Sequence, residues 1–229
     1  MSSEANTKAQ SEEAVAPFEK SARGRLIVVS SPSGGGKGTL IRRVLQEMPN
    51  LGYSVSYTTR RERLGEVDGR DYFFVSPETF KAMERRGEFL EWANVHGKLY
   101  GTARAQVEQE LAGGRDILIE VDVQGARSVR RLILDAVSIF ILPPSFDVLC
   151  ARLTARGSEH PDDLTLRLSN ARSEVEHYRE FDYVVINDDL ERAAGQLAAI
   201  IHAERARRER QEYLASRVLA TFQPTEPST

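Results

Sequence analysis

The segment that most restricts the fold is Leu26–Ser30, a short apolar and β-branched run that leads directly into Ser31-Pro32-Ser33-Gly34-Gly35-Gly36-Lys37-Gly38-Thr39. A helical stretch follows from about Lys37 to Glu47, and Pro49-Asn50 ends it. A buried strand that passes through glycines into a helix N-terminus is the opening unit of a layered α/β domain. Glycines let main-chain N–H groups converge on an anion without Cβ clashes, and the helix dipole adds to the attraction. The string nearly fits G-x-x-x-x-G-K-[ST], with Lys37 placed to reach the outer phosphates of a nucleoside triphosphate and Thr39 offering a hydroxyl. It departs in two places: Ser31 stands at the first glycine, and Gly38 follows the lysine where Ser or Thr is usual.

The same rhythm returns downstream. Ile117–Asp122 reads as a buried strand ending in acidic groups, with a helix from about Gly125. Val137–Leu142 is a third strand, closed by Pro143-Pro144, with a helix from Ser145 to Arg156. Gly157–Asp163 is a polar break, Leu164–Tyr178 a helix, and Tyr183–Ile186 the last strand. From Leu190 a single long charged helix is expected to fray after about Thr221. Alternating strands and helices predict a parallel sheet flanked by helices, with ligands beyond the carboxyl ends of the strands. Asp122 and Asn187 join the glycine loop there.

The stretch from Tyr53 to Tyr100 has another texture. Tyr53–Tyr57 and Tyr72–Val75 alternate, Ser76-Pro77-Glu78 starts a helix that stops at Gly87, and Phe89–Val95 is a strand. This is a small α+β insertion. Hydroxyls and arginines gather in Ser54–Arg63, and arginine forks suit phosphate oxygens.

Composition narrows the class. A single cysteine, Cys150, excludes an intramolecular disulfide and fits a reducing compartment, so a cytoplasmic location is expected. No apolar run is long enough to span a bilayer, and Met1–Ala22 is polar, without the apolar core of a signal peptide. A net charge of −3 gives no general nucleic-acid signature, and Glu204 and Glu209 interrupt the cluster Arg205, Arg207, Arg208 and Arg210. The four histidines, His96, His160, His177 and His202, have no evident triad partners.

Taken in order, Ser-Pro-Ser-Gly-x-Gly-Lys, Ser54-Val55-Ser56-x-Thr58-Thr59-Arg60, Gly65–Val75, Glu91-Trp92-Ala93, Tyr100-Gly101-Thr102, Asp122–Gly125, Pro143-Pro144-Ser145 and Val185–Asp189 resemble guanylate kinases from about Gly24 to Glu204. The resemblance implies a P-loop kinase with a mobile lid, transferring a phosphoryl group from ATP to GMP, and to dGMP, with Mg²⁺. It places the ATP site at Ser31, Pro32, Ser33, Gly34, Gly35, Gly36, Lys37, Gly38, Thr39 and Asn187. Arg60 and Arg63 would clamp the GMP phosphate with Tyr72 and Tyr100. Ser56, Glu91 and Thr102 would read the guanine, with Asp122 nearby. Lys37, Arg60, Arg152, Arg156 and Arg167 would serve the transfer, the last three on or beside the lid.

The implied organisation is an N-terminal tail at 1–23, a core at 24–57, 103–144 and 179–215, a GMP-binding subdomain at 58–102, a lid region at 145–178 and a tail at 216–229. ATP and GMP are the expected partners, with neither nucleic acid nor membrane, and a homo-oligomer is compatible with the sequence. No residue is assigned as a direct metal ligand: with Gly38 in place of a hydroxyl, Mg²⁺ would be held mainly by phosphates and water, with Thr39 as the remaining hydroxyl. Glu62 and Glu120 depart from the family's usual proline and aspartate. Two rivals stand beside this reading, a peptide-binding module of the same fold and a kinase for AMP, UMP or dTMP.

Overall fold

A computed structural model describes residues 23–95, 97–155 and 161–222. The tail expected at 1–23 therefore lies, apart from Arg23, outside the described residues, as do His96, Arg156 and His160.

Five strands form a fully parallel sheet in the order β2-β7-β1-β8-β9: β2 (Gly52–Tyr53), β7 (Ile117–Glu120), β1 (Leu26–Ser30), β8 (Val137–Leu142) and β9 (Tyr183–Ile186). Alternate side chains of β1 divide between two cores, as the two-residue period of a strand requires. Ile27 and Val29 pack with α1 (Lys37–Glu47) and α7 (Leu190–Arg205), through Leu40, Ile41, Leu197 and Ile201. Leu26 and Val28 pack on the opposite face with α3 (Arg104–Ala112) and α4 (Val123–Leu132), through Val107, Leu111, Ala126 and Val129. Burial on both faces is why β1, β7 and β8 are nearly continuous apolar runs rather than alternating ones.

A second sheet, β4-β3-β6-β5, is built from β3 (Tyr57–Thr58), β4 (Phe73–Phe74), β5 (Phe89–Val95) and β6 (Lys98–Ala103). Its own small core is Phe80, Met83 and Phe89, with Phe80 stacked on Phe89 at 4.4 Å. Helix α2 (Pro77–Arg85) covers it, capped as expected: Ser76 Oγ accepts the Thr79 N–H at 3.1 Å. The run Tyr53–Tyr57 is thus two strands in two sheets, and the chain crosses between them at Ser54–Ser56.

The chain differs from expectation in three places. No element was expected between Val95 and Ile117, yet β6 and α3 lie there. Helix α6 begins at Pro161 and ends at Val175, and the remaining residues to Glu180 tighten into a 3₁₀ turn. The long C-terminal helix is two helices, α7 and α8 (Arg208–Ala220), and the tail boundary drawn at 216 falls inside α8.

The break has an electrostatic cause. Asp116, buried at the start of β7, accepts the Arg25 N–H at 2.7 Å, Arg205 Nε at 2.7 Å and Arg210 Nη2 at 3.0 Å. Buried Glu204 accepts from Arg25 and, at 2.5 Å, from Tyr183 Oη. Arg205 and Arg210 can meet one carboxylate because Arg207 leaves the helical region (ψ 138°). These two arginines are therefore structural, not members of a solvated face. Asp116→Ala leaves two partly buried guanidinium groups without their carboxylate, which costs on the order of 3 kcal/mol. The expected result is a lowered Tm with tryptic cleavage first at Arg207–Arg210. Unchanged Tm and an intact C-terminus under protease would contradict this account.

No helix among the described residues is long and apolar enough to cross a membrane.

Candidate functional site

The cleft between the two sheets lies at the carboxyl ends of β1 and β7. The loop Ser31–Gly38 lines one side of it. Gly36 takes φ 86° at the mouth of α1, a left-handed conformation, and a Cβ there would collide with Nδ2 of Asn187. Asn187, buried at the end of β9, donates from Nδ2 to Gly35 O at 2.9 Å. Arg152 donates to Asn187 O at 2.9 Å and to Gly35 O at 3.3 Å. Both side chains brace the loop from behind, and neither lines the cleft.

Lys37 Nζ lies inside it, donating to Val121 O at 2.8 Å and standing 3.7 Å from Glu120 Oε1. A carboxylate from another element already sits on the loop: Glu174 Oε2, on α6, accepts the Ser33 N–H at 2.9 Å. The loop thus holds an anionic oxygen at a main-chain donor, the electrostatic preference that its glycines and helix dipole predict. Arg167, one helical face along α6 from Glu174, also lines the cleft.

The opposite wall is Ser56, Arg63, Tyr72, Glu91, Tyr100 and Asp122, all of which line the same cleft. Glu91 projects from β5 and is 7% exposed. Thr102, its neighbour across β6, donates from Oγ1 to Oε1 at 2.6 Å. The other oxygen lies against Gly125, where a Cβ would stand 2.5 Å from Oε2. Burial pushes the Glu91 carboxyl up to about 7; the Thr102 hydrogen bond opposes this and the neighbouring Asp122 charge adds to it. Asp122 caps α4, accepting the Gly125 N–H at 2.8 Å. Burial likewise raises the Tyr72 hydroxyl above its ordinary value.

Arg60 sits just behind this wall. It pairs with Glu66 through two hydrogen bonds, at 2.7 and 2.8 Å, and lies over the rings of Tyr72 and Phe74.

The structure thus brings together in one cleft Ser31–Gly38, Ser56, Arg63, Tyr72, Glu91, Tyr100, Asp122 and Arg167, with Thr102 and Arg60 directly behind. Thr39 is exposed on α1 and lies outside the cleft lining. Arg156 lies outside the described residues. Sequence reasoning missed three polar groups that line the cleft: Tyr53, Glu120 and Glu174. Glu120 had a signal, as the acidic end of an apolar strand. Glu174 had none, because its partner is 141 residues away.

A parallel sheet whose first strand turns through a lysine-bearing glycine loop into a helix, facing a second sheet across one cleft, defines a P-loop kinase fold. Comparison with known proteins gives the family. The guanylate kinase family model matches residues 23–204. A guanylate kinase of Aromatoleum aromaticum is 51% identical over 184 residues, covering 80% of this chain and 90% of that one. One from Rhizobium meliloti is 48% identical over 197 residues, covering 86% and 90%. The crystal structure of guanylate kinase from Anaplasma phagocytophilum superposes with a TM-score of 0.72 at 34% identity, covering 90% of this chain and 98% of that one. The chain belongs to the guanylate kinase family.

Proposed function

We propose that the chain transfers the γ-phosphoryl group of ATP to GMP, and to dGMP, giving ADP and GDP, as a step of cytoplasmic purine nucleotide recycling. The observation that carries this is that Lys37 with its glycine loop and Glu91 with Ser56 and Thr102 line or back one cleft. Guanine offers a ring N–H and an exocyclic amine side by side, which one carboxylate accepts as a pair, and its carbonyl calls for a hydroxyl donor. Adenine lacks both and leaves those buried groups unpaired.

The acceptor phosphate would lie against Arg60, Arg63, Tyr72 and Tyr100. Its second pKa is about 6, so the attacking oxygen is ionised at neutral pH and needs no protein base. The chemical problem is bringing two anions in line while charge spreads over the moving group. Lys37 lies in the cleft on the loop side, and Arg167 lines it from α6. The roles given above to Arg152 and Asn187 act through the loop they brace, and the reach of Arg156 from the lid is part of the same proposal.

Mg²⁺ would neutralise the phosphate oxygens. Among the described residues no cluster of three His, Cys, Asp or Glu side chains could cage a metal. Gly38 offers no side-chain oxygen, and Glu120 is the carboxylate beside Lys37. That donor set fits an ion held by phosphates and its own water, with Glu120 reaching the water shell and Thr39 as the nearest hydroxyl in sequence.

A coupled ADP-release assay with GMP, AMP, UMP and dTMP tests the reading. Turnover with GMP should exceed each other acceptor by at least about 1,000-fold. Comparable use of AMP would end the guanine assignment, and no use of any acceptor would favour a binding module.

A further inference from the structure

Between β3 and β4 the chain makes a loop that one carboxylate closes. Glu66 Oε2 accepts from Arg60 Nη1 at 2.7 Å, and Oε1 accepts from Nη2 at 2.8 Å. Oε2 also accepts the main-chain N–H of Arg63 at 2.9 Å, and the Glu66 N–H returns to Arg63 O at 3.1 Å. Nη1 of Arg60 makes a further bond to Arg61 O at 2.8 Å.

A guanidinium carries five N–H donors in one rigid plane. Three of those on Arg60 are engaged by Glu66 and Arg61. The other two, Nε–H and one Nη2–H, share the remaining edge of the plane, a parallel pair matched to two phosphate oxygens. The rings of Tyr72 and Phe74, at 5.0 and 5.5 Å, fix the plane's tilt, and the Tyr100 hydroxyl interacts with the same guanidinium. The Arg60 side chain is 12% exposed and that of Glu66 is 21% exposed, so the pair is poorly screened by solvent.

We infer that Glu66 is a positioning residue for the acceptor phosphate: by holding one edge of Arg60 and the main chain of Arg63, it presents the other edge of Arg60 as a preformed two-donor fork beside Arg63. This rests on the proposed reading of the cleft as the GMP site. Glu66 itself touches no substrate. The opposite role, a carboxylate competing with the phosphate for the same donors, would require it to occupy the Nε/Nη2 edge, and it occupies the Nη1/Nη2 edge.

The test uses full-length Glu66→Ala and Glu66→Gln, with steady-state kinetics for both substrates and with guanosine as an inhibitor that lacks the phosphate. In Glu66→Ala the KM for GMP should rise by about 10- to 50-fold, and in Glu66→Gln by less. The KM for ATP, kcat at saturating GMP and guanosine inhibition should stay within about threefold. In an Arg60→Ala background, adding Glu66→Ala should change the KM for GMP by no more than about twofold, since the two act as one unit.

An unchanged KM for GMP overturns the inference, and a lower one makes Glu66 a competitor. Equal losses for guanosine and ATP also overturn it, because they would mark general damage to the fold. Wild-type protein that neither uses nor binds GMP overturns the acceptor reading itself. Normal wild-type use with an indifferent Glu66→Ala overturns the role of Glu66 alone.

Discussion

Glu91→Gln is expected to lower kcat/KM for GMP by about 1,000-fold, roughly 4 kcal/mol, without any gain for AMP. The carboxylate has two acceptor oxygens, one already receiving the Thr102 hydroxyl. Glutamine replaces one of them with an N–H donor. Against guanine, that turns one favourable contact into donor facing donor, in a site that excludes water. Against adenine it restores little, because Ser56 is still arranged for a carbonyl. A Glu91→Gln variant with wild-type GMP kinetics would remove the basis for guanine selection in this cleft.

The same substitution carries a pH signature. Burial holds the Glu91 carboxyl at about 7, against 4.5 for an exposed glutamate. Between those values the folded chain binds a proton that the unfolded chain has released, so stability falls as pH rises through the window. Above pH 7 the full penalty applies, on the order of 3 kcal/mol. Glutamine has no proton to lose. The Tm of Glu91→Gln should therefore exceed that of the wild type at pH 8, and the difference should shrink toward pH 5. Guanine donors favour the ionised form, so guanosine affinity should weaken as pH falls below 7, a dependence that Glu91→Gln abolishes. Parallel Tm curves for the two proteins from pH 5 to 8 would show that Glu91 carries no raised carboxyl.

The apolar strands were legible because their signal is local. β1, β5, β8 and β9 have the limits expected of their apolar runs, and α2 starts at its capping serine. α3 was missed because its buried side is only Val107 and Leu111 on an otherwise polar segment. β2 was merged with β3 because two residues at a sheet edge leave no periodicity to read. The bend before α8 was invisible because its cause, Asp116, lies 89 and 94 residues from the two arginines it gathers. The site divides in the same way. The glycine loop is contiguous and could be read directly. Glu91 and Thr102 are 11 residues apart and meet only because β5 and β6 pair in a register that places them side by side. The bracing of the loop by Arg152 and Asn187 needs three elements at once. Arginines on helices look alike in sequence whether they face a phosphate or a carbonyl.

Lys37→Met should lower kcat by about 100- to 1,000-fold while the KM for GMP stays within about threefold. Methionine keeps the apolar stem and removes the charge, so the loop's packing persists. Lys37 now rests on Val121 O at 2.8 Å, with Glu120 3.7 Å away, and both are acceptors that a passing phosphoryl oxygen can outbid with its full negative charge. The ground state loses one hydrogen bond and an ion pair at the long separation of 3.7 Å, so Tm should move by no more than a few degrees. The transition state loses a cation where charge is spread over the moving group. kcat and kcat/KM for ATP should then fall together, the mark of an interaction made mainly in the transition state. A rise in the KM for ATP with kcat preserved would instead make Lys37 a ground-state anchor and pass the transfer chemistry to Arg167 and the metal. Lys37→Arg should not restore the rate, because a planar fork cannot take the place of a compact ammonium beside the Val121 carbonyl.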